Sequence, residues 1–189
     1  MGIRTGPCRC VPFAPTGLAF PTNRNMKDFD WTRFTVKIAV KADQRTVYDA
    51  WTSSAAIERW FLSKAVFRND AGADLAPTEG VGPGCTYAWN WYGYHVTEQG
   101  RILGANGKDL FRFTFAGACP VEVRLTKEHD HTVVTLTQSE IPEDDASKRS
   151  IRLGCHTGWS FFLLNLKSVL EGGLDLRNKN AAFTGVVNA

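Results

Sequence analysis

Two imidazoles flank a carboxylate at His129-Asp130-His131, residue types that could hold a divalent cation or relay a proton. A metal needs further ligands nearby, and the spacing supplies none, because the triplet falls in a turn between two strands. No metal site is expected there, nor at Cys8-Arg9-Cys10, which is too short for a zinc knuckle and lacks a second pair of ligands. Catalysis would need a nucleophile beside a base, or two titratable groups with separated pKa values in one cleft. Neither can be assembled from the spacing. Arg112, Glu122 and Arg124 alternate with apolar residues and should face outward, while Asp144, Asp145, Lys148 and Arg149 read as the solvated first turns of a helix. His156 lies on that helix, about 100° around from Cys155, where it could meet a ligand or shuttle a proton. Arg101, in the middle of a long strand, is a candidate anchor for an anionic head group. No cofactor is expected.

Positioning these residues falls to a sheet and one long helix. Between Asp145 and Glu171, the residues Ile151, Cys155, Trp159, Phe162, Leu166 and Val169 recur at steps of three and four, which makes a single apolar stripe on a helix. Such a stripe must be buried, and the apolar surface available is the preceding sheet. Phe34, Val36, Ile38 and Val40 alternate with polar residues and predict the first strand. Asp43 then caps a short helix with Val47, Ala50 and Trp51 on one face, and Ser53 or Ser54 caps a second that ends at Trp60-Phe61. Residues 68–84 are crowded with Gly, Pro and Asp and predict a long loop. Strands follow at Cys85 to Tyr92, Tyr94 to Leu103, Leu110 to Phe115, Val121 to Lys127 and Thr132 to Gln138, with turns at Gly93, Asn106-Gly107, Gly117 with Pro120, and Glu128 to His131. Close spacing makes neighbours antiparallel. The class is α+β, with helices gathered on one face of a curved antiparallel sheet. Gly172-Gly173 stops the last helix, and the tail from 174 to 189 has no periodicity.

A chain of 189 residues, 43% hydrophobic, builds one core and is short for two domains. Three of its 22 Lys and Arg residues, Arg4, Arg9 and Arg24, fall in a first segment of 25 residues that has no Asp or Glu. The remaining cations equal the 19 acidic residues, and a neutral body offers no footprint for nucleic acid. Pro7, Pro12, Pro15 and Pro21 break every apolar run that could be a signal-peptide core, and Gly6 spoils a myristoylation pattern. Residues 1–25 are therefore expected to be a flexible or mis-called extension, with Met26 as the natural start and a domain over 26–173. No run reaches the length of a membrane span. Five cysteines without a secretion signal predict free thiols, with Cys85, Cys119 and Cys155 in the core, and a cytoplasmic location.

Val47-Tyr48-Asp49-Ala50-Trp51-Thr52, then Ile57-Glu58-Arg59-Trp60-Phe61, then Gly82-Pro83-Gly84 before an aromatic strand, then Thr135-Leu136-Thr137-Gln138, then Gly158-Trp159 opening a Leu-rich helix, form an ordered set. That set resembles the START-like (SRPBCC) superfamily, most closely the branch of the carboxy-terminal domain of the activator of the heat-shock-protein-90 ATPase. The resemblance spans roughly 34 to 173. It implies a helix-grip fold, in which a bent sheet of six to seven strands wraps the terminal helix around a cavity. It leaves chemistry open, because the fold hosts lipid carriers, hormone receptors, cyclases and chaperone cofactors. The eukaryotic activators carry a separate amino-terminal domain that contacts the chaperone, and no such domain is expected in these 189 residues.

On that fold, alternation assigns the cavity walls. Tyr87, Trp89 and Trp91 share one strand face and Phe111, Phe113 and Phe115 another, while Gln138, Cys155, His156, Trp159 and Phe162 close the space. Aromatic stripes usually pack as core, yet apolar walls with a few polar groups, here Tyr87, Gln138 and His156, are also what a small-molecule site needs. The expected function is binding of a small apolar or amphipathic molecule. The alternatives are a chaperone-associated interaction factor and a cyclase-like or hydrolytic enzyme. Leu153, Phe161 and Leu164 lie on the far side of the terminal helix, so either the tail covers them or a second copy does.

Overall fold

Seven runs of alternating burial pair into one antiparallel sheet. The computed structural model describes residues 29–183 and 185–188; the expectations for residues 1–25, for Met26 and for Cys8-Arg9-Cys10 lie outside the described residues. The strands are β1 (Phe34–Val40), β2 (Lys64–Arg68), β3 (Thr86–Asn90), β4 (Glu98–Ala105), β5 (Leu110–Phe115), β6 (Cys119–Glu128) and β7 (His131–Gln138), in the order β1-β7-β6-β5-β4-β3-β2. The first two strands are thus opposite edges. They are joined by helices α1 (Gln44–Thr52) and α2 (Ser54–Ile57), which cross from one edge to the other.

The sheet bends where side chains give way. In β4 the pairing with β5 slips between Ile102 and Gly104, a bulge that increases local twist. Beside it, Gly100 faces Tyr87 so closely that a Cβ there would stand 2.5 Å from the phenol oxygen, and only glycine lets the ring lie flat against the strand.

Asp43 caps α1 as expected, accepting from the Thr46 amide at 2.9 Å and the Thr46 hydroxyl at 2.6 Å. Ser53 precedes α2 without a side-chain cap. The terminal helix begins at α3 (Asp145–Ser147), capped by Asp144 through the Ala146 and Ser147 amides. It then widens to a π-helix over Lys148–Cys155 and continues as α4 (His156–Leu170). The π segment is pinned by Arg152, whose buried guanidinium lies over the rings of Phe29 (4.9 Å) and Phe34 (5.1 Å). Gly172, at φ 79°, ends the helix as its sequence predicts.

Two strands depart from expectation. The run Tyr94 to Val96 is loop, and β4 starts only at Glu98, so the connection after β3 is an excursion over residues 91–97 and not a hairpin at Gly93. β2 stands in the stretch between the expected helix end at Trp60-Phe61 and the expected loop from Arg68, where the sequence predicts no element, although Ala65 and Phe67 alternate inward against Trp89 and Tyr87 of β3. The interior is full. Trp51 and Phe61 reach in from the helical connection to meet Trp159, Trp60 packs on both, and Phe61 also meets Trp89, while Tyr87, Phe111 and Phe113 are buried in the same aromatic cluster.

The tail has no helix or strand among its described residues, but it is fastened. Asn165, fully buried on α4, donates to the Trp60 carbonyl at 2.6 Å and to Asp175 at 3.1 Å, and accepts from the Leu176 amide at 2.7 Å. Burial would raise the Asp175 pKa, but hydrogen bonds from Arg177 and Lys179 outweigh it and hold the carboxyl well below the usual range.

Candidate functional site

An apolar cavity of about 190 Å³ opens between the π segment and the sheet. Its walls are Phe61 from the turn after α2, Trp91 just past β3, Phe115 at the end of β5, and Ser150, Gly154, Cys155, Gly158, Trp159 and Phe162 from the terminal helix. The π geometry builds the helix wall. Ser150 and Cys155 are five residues apart, one turn of a π-helix, so both face the opening, and Trp159 follows Cys155 after an ordinary α turn. Gly154 and Gly158 leave the space. A Cβ at Gly158 would meet no atom within 4 Å.

Trp159 forms the floor. Its ring lies 5.0 Å from Phe61 and 5.1 Å from Phe115, and its indole N–H donates to Gln138 Oε1 at 3.1 Å. Phe61 extends the aromatic wall to Phe162 at 4.8 Å and Trp91 at 5.4 Å. Polar atoms are few. The Ser150 hydroxyl donates to the Ala146 carbonyl at 2.7 Å, which keeps its oxygen available as an acceptor. The Cys155 thiol is pushed up to about 11 by burial, against weaker help from Gln138. Among the described residues, no charged side chain lines the cavity.

Of the eleven residues singled out by sequence, Trp91, Phe115, Cys155, Trp159 and Phe162 meet here. Tyr87, Trp89, Phe111 and Phe113 lie beneath as packed core. Tyr87 is a polar candidate that points inward yet is already committed: its hydroxyl donates to the Thr114 carbonyl at 2.5 Å, and its ring stacks on Trp89 at 3.8 Å. Gln138 is fully buried and holds Trp159 in place, outside the lining. His156 is exposed and edge-on to Phe34 of β1 at 5.3 Å, outside the lining. Arg101 is exposed as well. Sequence reasoning misses Phe61, Ser150, Gly154 and Gly158. Phe61 reads as a helix end, and the two glycines carry no apolar signal although they are what makes the space.

A family model described as activator of Hsp90 ATPase homolog 1-like protein matches residues 41–171. The chain belongs to that family. The sheet and terminal helix therefore form the START-like helix grip expected from the sequence. No curated protein matches the chain in sequence. Among solved structures, the protein SSP2350 from Staphylococcus saprophyticus is 24% identical, with a TM-score of 0.61 over 77% of this chain and 96% of its own. The Aha1 dimer from Colwellia psychrerythraea is 19% identical, with a TM-score of 0.57 over 75% and 97%. DynU16, a protein in the dynemicin biosynthetic locus, is 21% identical, with a TM-score of 0.59 over 78% of this chain and 50% of its own. At these identities the likeness is one of fold. Within the family scaffold of this chain, no helix among the described residues is long and apolar enough to cross a membrane.

Cys85, Cys119 and Cys155 are free thiols. With its pKa at about 11, Cys155 is expected to alkylate with iodoacetamide at pH 8 on the order of a hundredfold more slowly than an ordinary thiol, since thiolate is the reacting form. Mass-spectrometric peptide mapping over a time course measures it, and labelling of Cys155 at the rate of free cysteine would show that the thiol is not held in an apolar wall.

The second face of the helix is partly as expected. Leu153 is 49% and Leu164 54% exposed, whereas Phe161 is half-buried against Phe162 at 5.1 Å. The tail does not cover them, because it is anchored at Asn165, Arg59 and Leu62.

Proposed function

We propose that this chain binds a small, flat, uncharged molecule, aromatic or amphipathic, with its apolar ring in the cavity over Trp159. The observation that carries the reading is the lining: five aromatic side chains, two glycines, one hydroxyl, one thiol and no charge among the described residues. An ionised group would lose its hydration there with nothing to compensate, so the ligand class is neutral. The volume, about 190 Å³, lies below the roughly 300–1,000 Å³ of drug-sized sites and slightly above the ~150 Å³ apolar cavity that accepts benzene. One or two fused rings fit, with any further substituent extending to solvent past Ser150. A ligand hydroxyl would find the Ser150 oxygen as acceptor.

Native mass spectrometry of freshly purified protein, with a thermal-shift series of neutral aromatics and their carboxylate analogues, tests the reading. Stabilisation by 2-naphthol and none by 2-naphthoate is expected; stabilisation by the carboxylate alone would overturn it. The enzyme alternative has lost its polar candidates, since Tyr87 is tied to a carbonyl and His156 and Arg101 face water.

A second reading concerns assembly. We propose that Leu153 and Leu164 meet their counterparts in a second copy, because the tail that could have covered them is fastened elsewhere and a protein of similar fold is described as a dimer. Light scattering is expected to give about twice the chain mass of 20.9 kDa, reduced to the chain mass by Leu153→Glu with Leu164→Glu. A monomer at high micromolar concentration would remove this reading without touching the first.

A further inference from the structure

Arg177 sits in an aperiodic tail, yet it is 7% exposed. Its guanidinium donates to the Leu62 carbonyl at 2.8 Å and to the Arg59 carbonyl at 2.9 Å, and it forms a two-pronged pair with Asp175 at 2.9 and 2.7 Å. Asn165 takes the Trp60 carbonyl between them. Three of the four carbonyls from Arg59 to Leu62 are therefore held by the tail and α4. These groups follow the end of α2, where carbonyls lack helical partners and must find others. Phe61, the residue inside this held turn, forms the cavity wall that touches Trp159, Phe162 and Trp91.

The same guanidinium lies 5.4 Å from the centre of the Tyr92 ring, with the Lys179 ammonium at 5.5 Å. Tyr92 follows Trp91, which forms a further wall of the cavity. One buried side chain thus touches both segments, the Arg59–Leu62 turn and the loop after β3, that carry the cavity's two walls outside the terminal helix and β5.

We propose that Arg177 is a positioning residue for the ligand cavity: the carboxy-terminal tail acts as a latch that fixes Phe61 and Trp91 at the separation the ligand needs. The proposal rests on the binding reading above. It predicts that losing the latch widens and softens the cavity without unfolding the sheet. Charge alone does not suffice, because lysine cannot span two carbonyls and a carboxylate at once.

The test compares wild type, Arg177→Lys, Arg177→Ala and, as a control for general weakening, Val134→Ala, which lies in the sheet core away from the cavity lining. Affinity for 2-naphthol is measured by calorimetry, and amide exchange is followed at residues 59–62 and 91–97. The expected result is a loss of affinity of at least tenfold in Arg177→Lys, with exchange accelerated in those two segments and unchanged in β6 and β7, while Val134→Ala keeps its affinity. Should Arg177→Ala fail to fold, Arg177→Lys carries the comparison. Equal affinity in wild type and Arg177→Lys overturns the latch. Loss of affinity in Val134→Ala of the same size also overturns it, since general weakening would then explain both. If wild type binds no 2-naphthol, the binding reading falls, and exchange alone decides the latch: faster exchange confined to the two segments supports it, and unchanged exchange overturns it.

Discussion

Trp159→Ala is expected to destabilise the fold by about 3–5 kcal/mol, the usual cost of truncating a large buried aromatic, and to lower Tm by roughly 10 °C. The magnitude follows from its position. The ring is 2% exposed and lies within contact range of Phe61, Phe113, Phe115 and Trp51, so four packed neighbours lose a partner together. Its indole N–H is also the partner of Gln138 Oε1; once it is gone, a fully buried amide is left without a donor, which adds to the cavity cost. Trp159→Phe keeps most of the packing and loses the hydrogen bond, and should cost about 1–3 kcal/mol. Chemical denaturation of the three proteins measures both steps. A loss below about 1 kcal/mol for the alanine variant would mean that the helix does not grip the sheet through this residue.

Gly158→Leu is expected to do the opposite to stability while removing the ligand site. A glycine inside a helix costs about 0.8–1 kcal/mol relative to alanine, and leucine is nearly as good a helix former. Gly158 is in α4 without a positive φ, and no atom lies within 4 Å of the position its Cβ would take, so the fold should gain about 0.5–1 kcal/mol. A leucine side chain placed there enters the space that a ring would use. Affinity for 2-naphthol should fall at least a hundredfold, about 2.7 kcal/mol. Few substitutions separate folding from binding so cleanly, because a glycine that weakens its own helix needs a reason, and the cavity supplies one.

Alternation makes the faces of β1, β3, β5, β6 and β7 readable in the sequence, and the three- and four-residue steps make the gripping face of the terminal helix readable too. Trp159, Phe162 and Leu166 are buried as the stripe requires. Periodicity says which way a side chain points but not how many layers lie beyond it. It places Tyr87, Trp89, Phe111 and Phe113 on the correct inner faces, yet they are buried, with Phe61 against Trp89 and Trp159 against Phe113, and the reach of Phe61 depends on a crossover between the two edges of the sheet. That is why the expected sheet-lined cavity shrinks to a pocket at one end of the helix. His156 is outside the lining for a different reason: about 100° around from Cys155 it sits at the edge of the stripe, and that edge lies over Phe34 of β1 and not over the opening. The tail latch is invisible in the sequence because one arginine and one asparagine, separated along the chain, have no periodicity to announce them.

The central claim is that the space over Trp159 is a binding site for a neutral aromatic ring and not a packing defect. Calorimetric titration of 2-naphthol into the wild-type protein, with Gly158→Leu beside it, tests this most directly. A saturable one-to-one isotherm is predicted for the wild type, with a dissociation constant on the order of 100 µM or tighter, and no saturable heat for the variant. Two folded proteins that both fail to bind, or that bind alike, would contradict it.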